Sequence, residues 1–244
     1  MQLALKRFCC IILSTCLLSV PLFSQKEKVK YNPEYDDKPI HFGYTLGINL
    51  MDFSFGRYYL RNPNTDTLYA DLTKLNIGFQ VGMIADFRLG EYFNFRVLPS
   101  YNFGQRDLIF FVNKGRDGMQ QQRVFKIESS MLDLPLQIKY KAKRINNYRP
   151  YLIVGSSFRY DLAAKKKYKI DDEEYILLRP FDVYGEFGLG IDFYLPYFKF
   201  STEVKLCLGF LDILNHTPPE VHAEYVNSLR KLNSQILMLS FHFE

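Results

Sequence analysis

The stretch from Phe198 to Asp212, FKFSTEVKLCLGFLD, alternates between apolar and polar side chains along most of its length. One parity carries mainly phenylalanine, valine and leucine, whereas the other carries Lys199, Glu203 and Lys205. Because successive side chains of a β-strand point to opposite faces, this period of two predicts a strand with one apolar and one polar face. The apolar face packs either against a protein core or against lipid, and the rest of the chain decides between the two.

Similar segments recur along the chain, and the connections between them alternate in length. The eight segments begin at His41, Lys74, Glu91, Arg123, Tyr148, Phe181, Phe198 and Asn233. Long connections, such as residues 54–73, alternate with short ones, such as Leu195-Pro196. This rhythm and an even strand number are typical of a single-chain outer-membrane barrel with short periplasmic turns. We therefore predict an all-β, eight-stranded antiparallel up-and-down transmembrane barrel over residues 41–244, with both termini in the periplasm.

A soluble β-sandwich or a lipocalin-like barrel is the alternative fold, since its strands also alternate. Such a fold requires no rhythm of long and short connections. The chain also ends on an apolar alternating strand with Leu237, Leu239, Phe241 and Phe243, which resembles the C-terminal assembly signal of outer-membrane barrels. These features favour the membrane barrel, so we expect the apolar face of each strand to contact lipid.

The N-terminal segment has the organisation of a secretory signal peptide. Lys6 and Arg7 precede an apolar run over residues 8–23, and Ser24 provides a small residue before a cleavage point. We predict a cleaved signal peptide over residues 1–24 and a flexible periplasmic arm over residues 25–40, which is charged and contains proline. An uncleaved N-terminal anchor is the alternative. The predicted location is the outer membrane of a Gram-negative bacterium.

Composition excludes several classes of site. Three of the four cysteines lie in the predicted signal peptide, so the exported chain would keep only Cys207 and form no internal disulfide. The four histidines are scattered, which gives no Cys/His metal site. Loss of Lys6 and Arg7 lowers the formal net charge from +5 to +3, which does not favour nucleic acid as a partner. We expect no cofactor, no metal and no small-molecule substrate.

The interior of an eight-stranded barrel is narrow enough for side chains to fill it, so we expect no open channel. Charged residues dominate the inward parity of the predicted strands, and we expect them to form an ion-pair network. They are Asp133, Lys139, Arg159, Asp161, Asp182, Glu186, Asp192, Lys199, Glu203 and Lys205. A two-residue turn at Leu195-Pro196 predicts that Asp192 lies opposite Lys199 and Glu186 opposite Lys205. A path for protons or ions through the same residues is the alternative.

The last connection carries two histidines, which raises the alternative of an outer-membrane lipid hydrolase or acyltransferase. The pattern TPPE at Thr217 is typical of a capped helix start, with proline at the first helical position and glutamate completing a capping box. An apolar stripe follows at helical spacing, formed by Val221, Tyr225, Leu229 and Leu232. We therefore predict a loop helix that faces a partner, and no catalytic site.

The segment MLDLPLQIKYKAK, from Met131 to Lys143, has a proline inside a predicted strand, where it cannot donate to the ladder. With its flanking leucines and the following Lys139-Tyr140, it resembles the fourth strand of the PorT-like outer-membrane β-barrel family. The segments RPYLIVGSSFRYDL, YGEFGLGIDF and LMLSFHF resemble later strands of that family. The resemblance implies a non-enzymatic accessory or assembly factor of the type IX secretion system. It implies lipid, the translocon and its accessory subunits as partners, and supplies no catalytic residues. A structural or adhesive small barrel is the alternative.

Overall fold

The computed structural model describes residues 29–57, 60–61, 67–71, 76–114, 119–165, 178–215 and 229–244. Two short 3-10 turns lie at Tyr35–Asp37 and Ala163–Lys165. The strands are β1 (Ile40–Arg57), β2 (Leu60–Arg61), β3 (Thr67–Asp71), β4 (Asn76–Arg88), β5 (Phe93–Val97), β6 (Ser100–Lys114), β7 (Met119–Lys141), β8 (Tyr148–Asp161), β9 (Phe181–Tyr194), β10 (Lys199–Gly209) and β11 (Leu229–Phe243). No helix within these ranges combines the length and the hydropathy that a membrane span requires.

The sheet closes on itself. β1 pairs with β4 along one edge and with the C-terminal β11 along the other, and both pairings are antiparallel. β5 and β6 together occupy one position between β4 and β7. The ring therefore has eight strand positions, and the predicted eight-stranded antiparallel up-and-down barrel is confirmed. β2 and β3 form a hairpin that extends the sheet from β6 outside this ring.

The third predicted strand is interrupted at Leu98 and Pro99, because proline has no N–H to donate to the ladder. The backbone compensates with the groups that remain. The Met83 N–H donates to the Pro99 carbonyl at 2.9 Å, and the Leu98 N–H donates to the Pro135 carbonyl at 3.2 Å. The register with β7 is unchanged across the interruption, so the strand position continues from β5 into β6.

The outer face of the barrel is apolar and the inner face is polar. Along β10, Val204 and Leu206 are more than 40% exposed, whereas Lys205 between them is 1% exposed. Large apolar side chains are exposed in the same alternating manner on the other positions of the ring. Aromatic pairs lie on this apolar surface, for example Tyr44 stacked on Phe243 at 5.0 Å and Phe79 beside Phe103 at 4.7 Å. An apolar outer face around a polar interior is typical of a barrel that spans a membrane.

The predicted register between β9 and β10 is wrong by two residues. Asp192 lies opposite Ser201 instead of Lys199, and Glu186 lies opposite Cys207 instead of Lys205. The connection contains four residues, 195–198, and is closed by the Leu195 N–H donating to the Phe198 carbonyl at 3.0 Å. Because side chains alternate with a period of two, a shift of two residues leaves every side chain on its predicted face.

The predicted flexible arm over residues 25–40 stays a prediction, and its described part begins at residue 29. Residues 29–39 lie against the terminal end of the barrel, the end where β1 begins and β11 finishes, and Tyr35–Asp37 forms a 3-10 turn there. Residues 29–39 form hydrogen bonds to the turn between β7 and β8; for example, the Tyr31 N–H donates to Asn147 Oδ1 at 2.9 Å. The predicted signal peptide lies outside the described residues.

The predicted loop helix is wrong for two of its four apolar residues. Leu229 and Leu232 belong to strand β11, where they pair with Arg57 and Phe55 of β1, and Leu232 is fully buried. The spacing of two apolar residues three apart fits a helix, but ladder pairing with β1 decides the conformation. Val221 and Tyr225 lie outside the described residues.

We predict that Val204→Arg lowers the free energy of unfolding by about 2–4 kcal/mol, since the change places a charge in the middle of the apolar face, between Leu189 and Leu239. Urea unfolding of the protein refolded into phospholipid vesicles measures this effect. Tyr197→Arg is the matched control, because Tyr197 is 94% exposed in the turn after β9, and its effect should stay within about 0.5 kcal/mol. Equal effects of the two changes would contradict a lipid contact at Val204.

Candidate functional site: the charged interior

The charged residues predicted to point inward all lie inside the barrel, and none of them is more than 6% exposed. The structure adds charged interior residues that the sequence analysis did not select. They include Asp86, Arg96, Arg106, Arg149 and Glu244. Asp86 and Arg96 lie on the inward parity of the second and third predicted strands, so extending the same alternation to those strands identifies them.

Arg96, on β5, is the centre of the ion pairs near the terminal end of the barrel. Its guanidinium lies 3.2 Å from Asp86 on β4, 3.2 Å from Glu203 on β10 and 3.3 Å from Glu244, which follows β11. All four side chains are completely buried. Asp86 is the cross-strand neighbour of Arg96, whereas Glu203 and Glu244 belong to strand positions that do not pair with β5, so Arg96 reaches them across the lumen.

Glu203 has further partners beside Arg96. The hydroxyl of Tyr151 donates to the Glu203 carboxylate at 3.1 Å, and Nε2 of His242 lies 3.2 Å from the same oxygen. His242, which the sequence places on the inward parity, is fully buried. Tyr151 reaches this position because it lies against Gly190, where a Cβ atom would be 2.4 Å from the tyrosine ring.

Lys139 and Asp192 form a close pair across the face of β8. Nζ of Lys139 lies 2.8 Å from both carboxylate oxygens, and the Ser201 hydroxyl donates to the same carboxylate at 2.6 Å. The ammonium also lies 3.8 Å from the centre of the Tyr151 ring, which is the geometry of a cation–π contact. Lys199, the predicted partner of Asp192, pairs instead with Glu244 at 2.6 Å.

Glu186 joins the ion pairs in the middle of the barrel. It lies 3.1 Å from Lys205 and 3.0 Å from Arg159, and it accepts a hydrogen bond from Gln137 at 2.6 Å. The Glu186–Lys205 pair thus forms diagonally across the ladder. Direct opposition of Glu186 and Lys205 would predict that exchanging the two charges restores the stability lost in each single reversal. Because the exchange would place an ammonium beside Arg159, we expect no such restoration.

Arg159 has a second carboxylate partner, Asp133, at 3.1 Å, and its guanidinium lies 4.1 Å from the centre of the Tyr184 ring. Nearer the loop end, Arg106 lies 3.4 Å from Asp161 and donates to the Ser234 hydroxyl at 2.8 Å. These contacts continue the ion pairs along the length of the lumen.

Asp182 uses a different kind of partner. Its carboxylate accepts the backbone N–H groups of Val183 at 2.8 Å and Leu211 at 3.2 Å. These donors belong to the edge of the sheet at the loop end. Asp161 likewise accepts two backbone N–H groups, so these two carboxylates anchor backbone at the loop end.

The chemistry of this interior is that of a filled, ion-paired core. The largest completely buried side chains include Arg96, Arg106, Arg159 and Tyr184, which occupy the lumen that a channel would need. Cys207 is buried against Glu186 and Met238, with Sγ 3.5 Å from the carboxylate. Within the described ranges no cluster of histidine, cysteine, aspartate and glutamate has the geometry to hold a metal ion. His216 and His222 lie outside those ranges.

We predict that Lys139→Met lowers the free energy of unfolding by about 3–5 kcal/mol, because Asp192 is then left buried without its cation. Adding Asp192→Asn should restore at least half of that loss, since neither position then carries a buried charge and the amide still accepts from Ser201. Urea unfolding in phospholipid vesicles measures both changes. Arg88→Gln is the control, because the Arg88–Asp37 pair is partly exposed and is worth at most about 1 kcal/mol. A double variant as unstable as the single one would contradict the assigned pair.

The sequence matches the family described as outer membrane protein beta-barrel domain over residues 23–215. No curated protein matches the chain. Similar solved structures include the outer membrane protein OprG of Pseudomonas aeruginosa, with 12% identity, a TM-score of 0.45, and coverage of 83% of this chain and 94% of OprG. Ail, the attachment invasion locus protein of Yersinia pestis, solved with the heparin analogue sucrose octasulfate, has 13% identity, a TM-score of 0.37 and coverages of 83% and 96%. The family match spans most of the chain, and the chain therefore belongs to the outer membrane protein beta-barrel domain family and is an outer-membrane β-barrel protein.

Proposed function

We propose that this protein is a non-enzymatic outer-membrane component of the type IX secretion system, acting as an accessory to the translocon or as a factor in its assembly. The observation that carries the proposal is the filled lumen. Arg96, Lys139 and Arg159 lie across it in buried ion pairs, so the barrel offers no passage for a polypeptide. A barrel of this kind contributes through its mouths, its loops and its lipid-facing wall.

The secretion role itself is supported by the resemblance to PorT, a component of that system. The segment that carries this resemblance forms the second half of β7, and its proline, Pro135, is buried. The Pro135 carbonyl accepts the Leu98 N–H at the interruption between β5 and β6. The segment therefore forms part of the barrel wall, and its Lys139 belongs to the interior network.

We further propose that the end of the barrel with both termini faces the periplasm. The short turns after β4, β7 and β9 lie at this end, as is typical of outer-membrane barrels. Tyr35 of the arm and the C-terminal Glu244 meet here, with the tyrosine hydroxyl 3.5 Å from the carboxylate. Periplasmic translocon and accessory subunits would then contact this mouth, and membrane lipid would contact the wall.

Deleting the gene should block export of cargo that carries the secretion-specific C-terminal domain, and the wild-type gene should restore it. Immunoblots of periplasm, cell surface and medium measure where the cargo is. Unchanged export in the deletion strain would contradict the secretion role and favour a structural or adhesive barrel.

The Lys139→Met/Asp192→Asn variant separates a scaffold from a charge path in the interior. We predict that it restores export as the wild-type gene does, because it removes two buried charges and leaves the mouths and the wall unchanged. The amount of folded barrel in the outer membrane, read from heat-dependent gel mobility, is the control. A variant that is folded at wild-type level but fails to restore export would show that charge movement through the lumen is part of the function.

A further inference from the structure

The N-terminal residues 29–39 lie across the terminal mouth in the manner of a bound peptide. Asn147, in the turn between β7 and β8, uses both groups of its side-chain amide on their backbone. Nδ2 donates to the Val29 carbonyl at 3.0 Å, and Oδ1 accepts the Tyr31 N–H at 2.9 Å. Arg144 in the same turn donates to the carbonyls of Tyr31 and, at 3.3 Å, of Asn32. The turn thus holds main-chain groups, which any extended peptide presents.

Two carboxylates of the same segment have separate receptors on the barrel. Asp36 lies 3.2 Å from the guanidinium of Arg149 and accepts a hydrogen bond from the Tyr194 hydroxyl at 2.8 Å. Asp37 lies 3.0 Å from Arg88. With the arm in place, Arg149 is 5% exposed and Tyr194 is 1% exposed, so the contacts to Asp36 are shielded from solvent.

The aromatic residue before these carboxylates also has a fitted place. The Tyr35 ring stacks on His41 at 4.3 Å, and Nζ of Lys199 lies 4.8 Å from the ring centre. Burial raises the pKa of the Tyr35 phenol, so its hydroxyl remains protonated and donates to Glu244. The mouth therefore receives an aromatic side chain followed by two acids.

At the terminal mouth the barrel itself supplies fewer carboxylates than cations. The cations Arg88, Arg149 and Lys199 pair with Asp37, Asp36 and Glu244, and only the last of these carboxylates belongs to the barrel. Two further cations extend the excess. Lys141 is 3% exposed and has no ion pair in the part of the chain that the structure describes.

Arg144, the other cation, contacts carbonyl and amide oxygens and lies 3.6 Å from the centre of the Tyr194 ring. The mouth without residues 29–39 is therefore strongly basic and has hydrogen-bond donors for a peptide backbone. It also has one ammonium, that of Lys141, that those residues do not pair with a carboxylate.

We propose that the terminal mouth is a binding site for a short acidic peptide segment of a partner protein, and that residues 29–39 occupy this site in cis, with their aromatic residue and two acids in a 3-10 turn. The ligand presents an aromatic residue followed by two carboxylates, and Lys141 receives a further acid. Because a short tether gives the attached segment an effective concentration of about 1 mM or more, a partner segment competes only when it binds better or when the arm is displaced. This inference is independent of the secretion role.

The test uses the full-length protein in detergent micelles, with Asp36→Asn and Asp37→Asn introduced into the arm. The probe is a fluorescent peptide of residues 29–39, VKYNPEYDDKP, and its anisotropy is measured. We expect saturable binding to the arm variant and at least tenfold weaker binding to the wild-type protein, whose arm occupies the site. Adding Arg149→Gln, or Arg88→Gln should the former fail to fold, is expected to weaken peptide binding at least tenfold. Lys143→Gln, an exposed cation in the Arg144 turn, should leave it unchanged.

Two controls make the outcome decisive. A scrambled peptide of the same composition should bind at least tenfold more weakly, and equal binding would reduce the site to a non-specific basic surface and overturn the proposal. Trypsin cleavage after Lys30 reports release of the arm, and should be faster in the arm variant. A released arm without peptide binding would show that the mouth does not bind this peptide in trans. An arm that stays in place without its carboxylates would show that residues 29–39 are a fixed part of the fold, and either result would overturn the proposal.

Discussion

The charges in the lumen constrain the rest of this structure. Closing a sheet at eight strand positions leaves an interior that side chains fill, and here many of those side chains are ionised residues with almost no exposure. Removing one partner from a buried pair typically costs about 3–5 kcal/mol. Arg96, Lys139 and Arg159 accordingly each lie within 3.3 Å of a carboxylate. Arg96 and Lys139 reach carboxylates on strands that do not pair with their own, whereas Arg159 pairs with Glu186 on the neighbouring β9.

The lipid-facing wall makes this network more important than it would be in a soluble protein. Lipid tails are as apolar as leucine, so burial of Val204 or Leu206 against lipid does not distinguish one arrangement of strands from another. Backbone hydrogen bonds are satisfied between strands, as they must be in a bilayer. Even the interruption at Pro99 follows this rule, since its carbonyl accepts the Met83 N–H. The specific contacts that remain are those of the interior.

The sequence predicts the faces of the strands well, and their partners poorly. Alternation alone places Lys139, Glu186 and Lys205 inside, because it depends only on neighbouring residues. Lys139 and Asp192 lie on two strands separated by β8, so the pattern within either strand does not predict that their side chains meet. The Leu195-Pro196 turn shows the same limit, since Tyr194 lies opposite Lys199, two residues later than a tight turn predicts.

The N-terminal arm and the last loop show a second limit. Residues 29–39 have no apolar periodicity, so their polar composition resembles that of a free tail. What holds them is a set of receptors from distant parts of the chain, including Asn147 and Arg149. At the other end of the barrel, Leu229 and Leu232 fit a helical spacing until the ladder with β1 is known. In both cases tertiary contacts decide what the local pattern leaves open.

These limits lead to a physical account of how the register is selected. A slip of two residues keeps every side chain on its face, so neither the apolar wall nor the inward polarity opposes it. The same slip moves a side chain by about 7 Å along its strand. The Lys139–Asp192 and Glu186–Lys205 pairs, at 2.8 and 3.1 Å, do not survive such a displacement. Separated charges in this lumen would be buried without partners. We therefore infer that the positions of the charged residues along their strands, more than contacts between apolar side chains, fix the register of β7, β9 and β10.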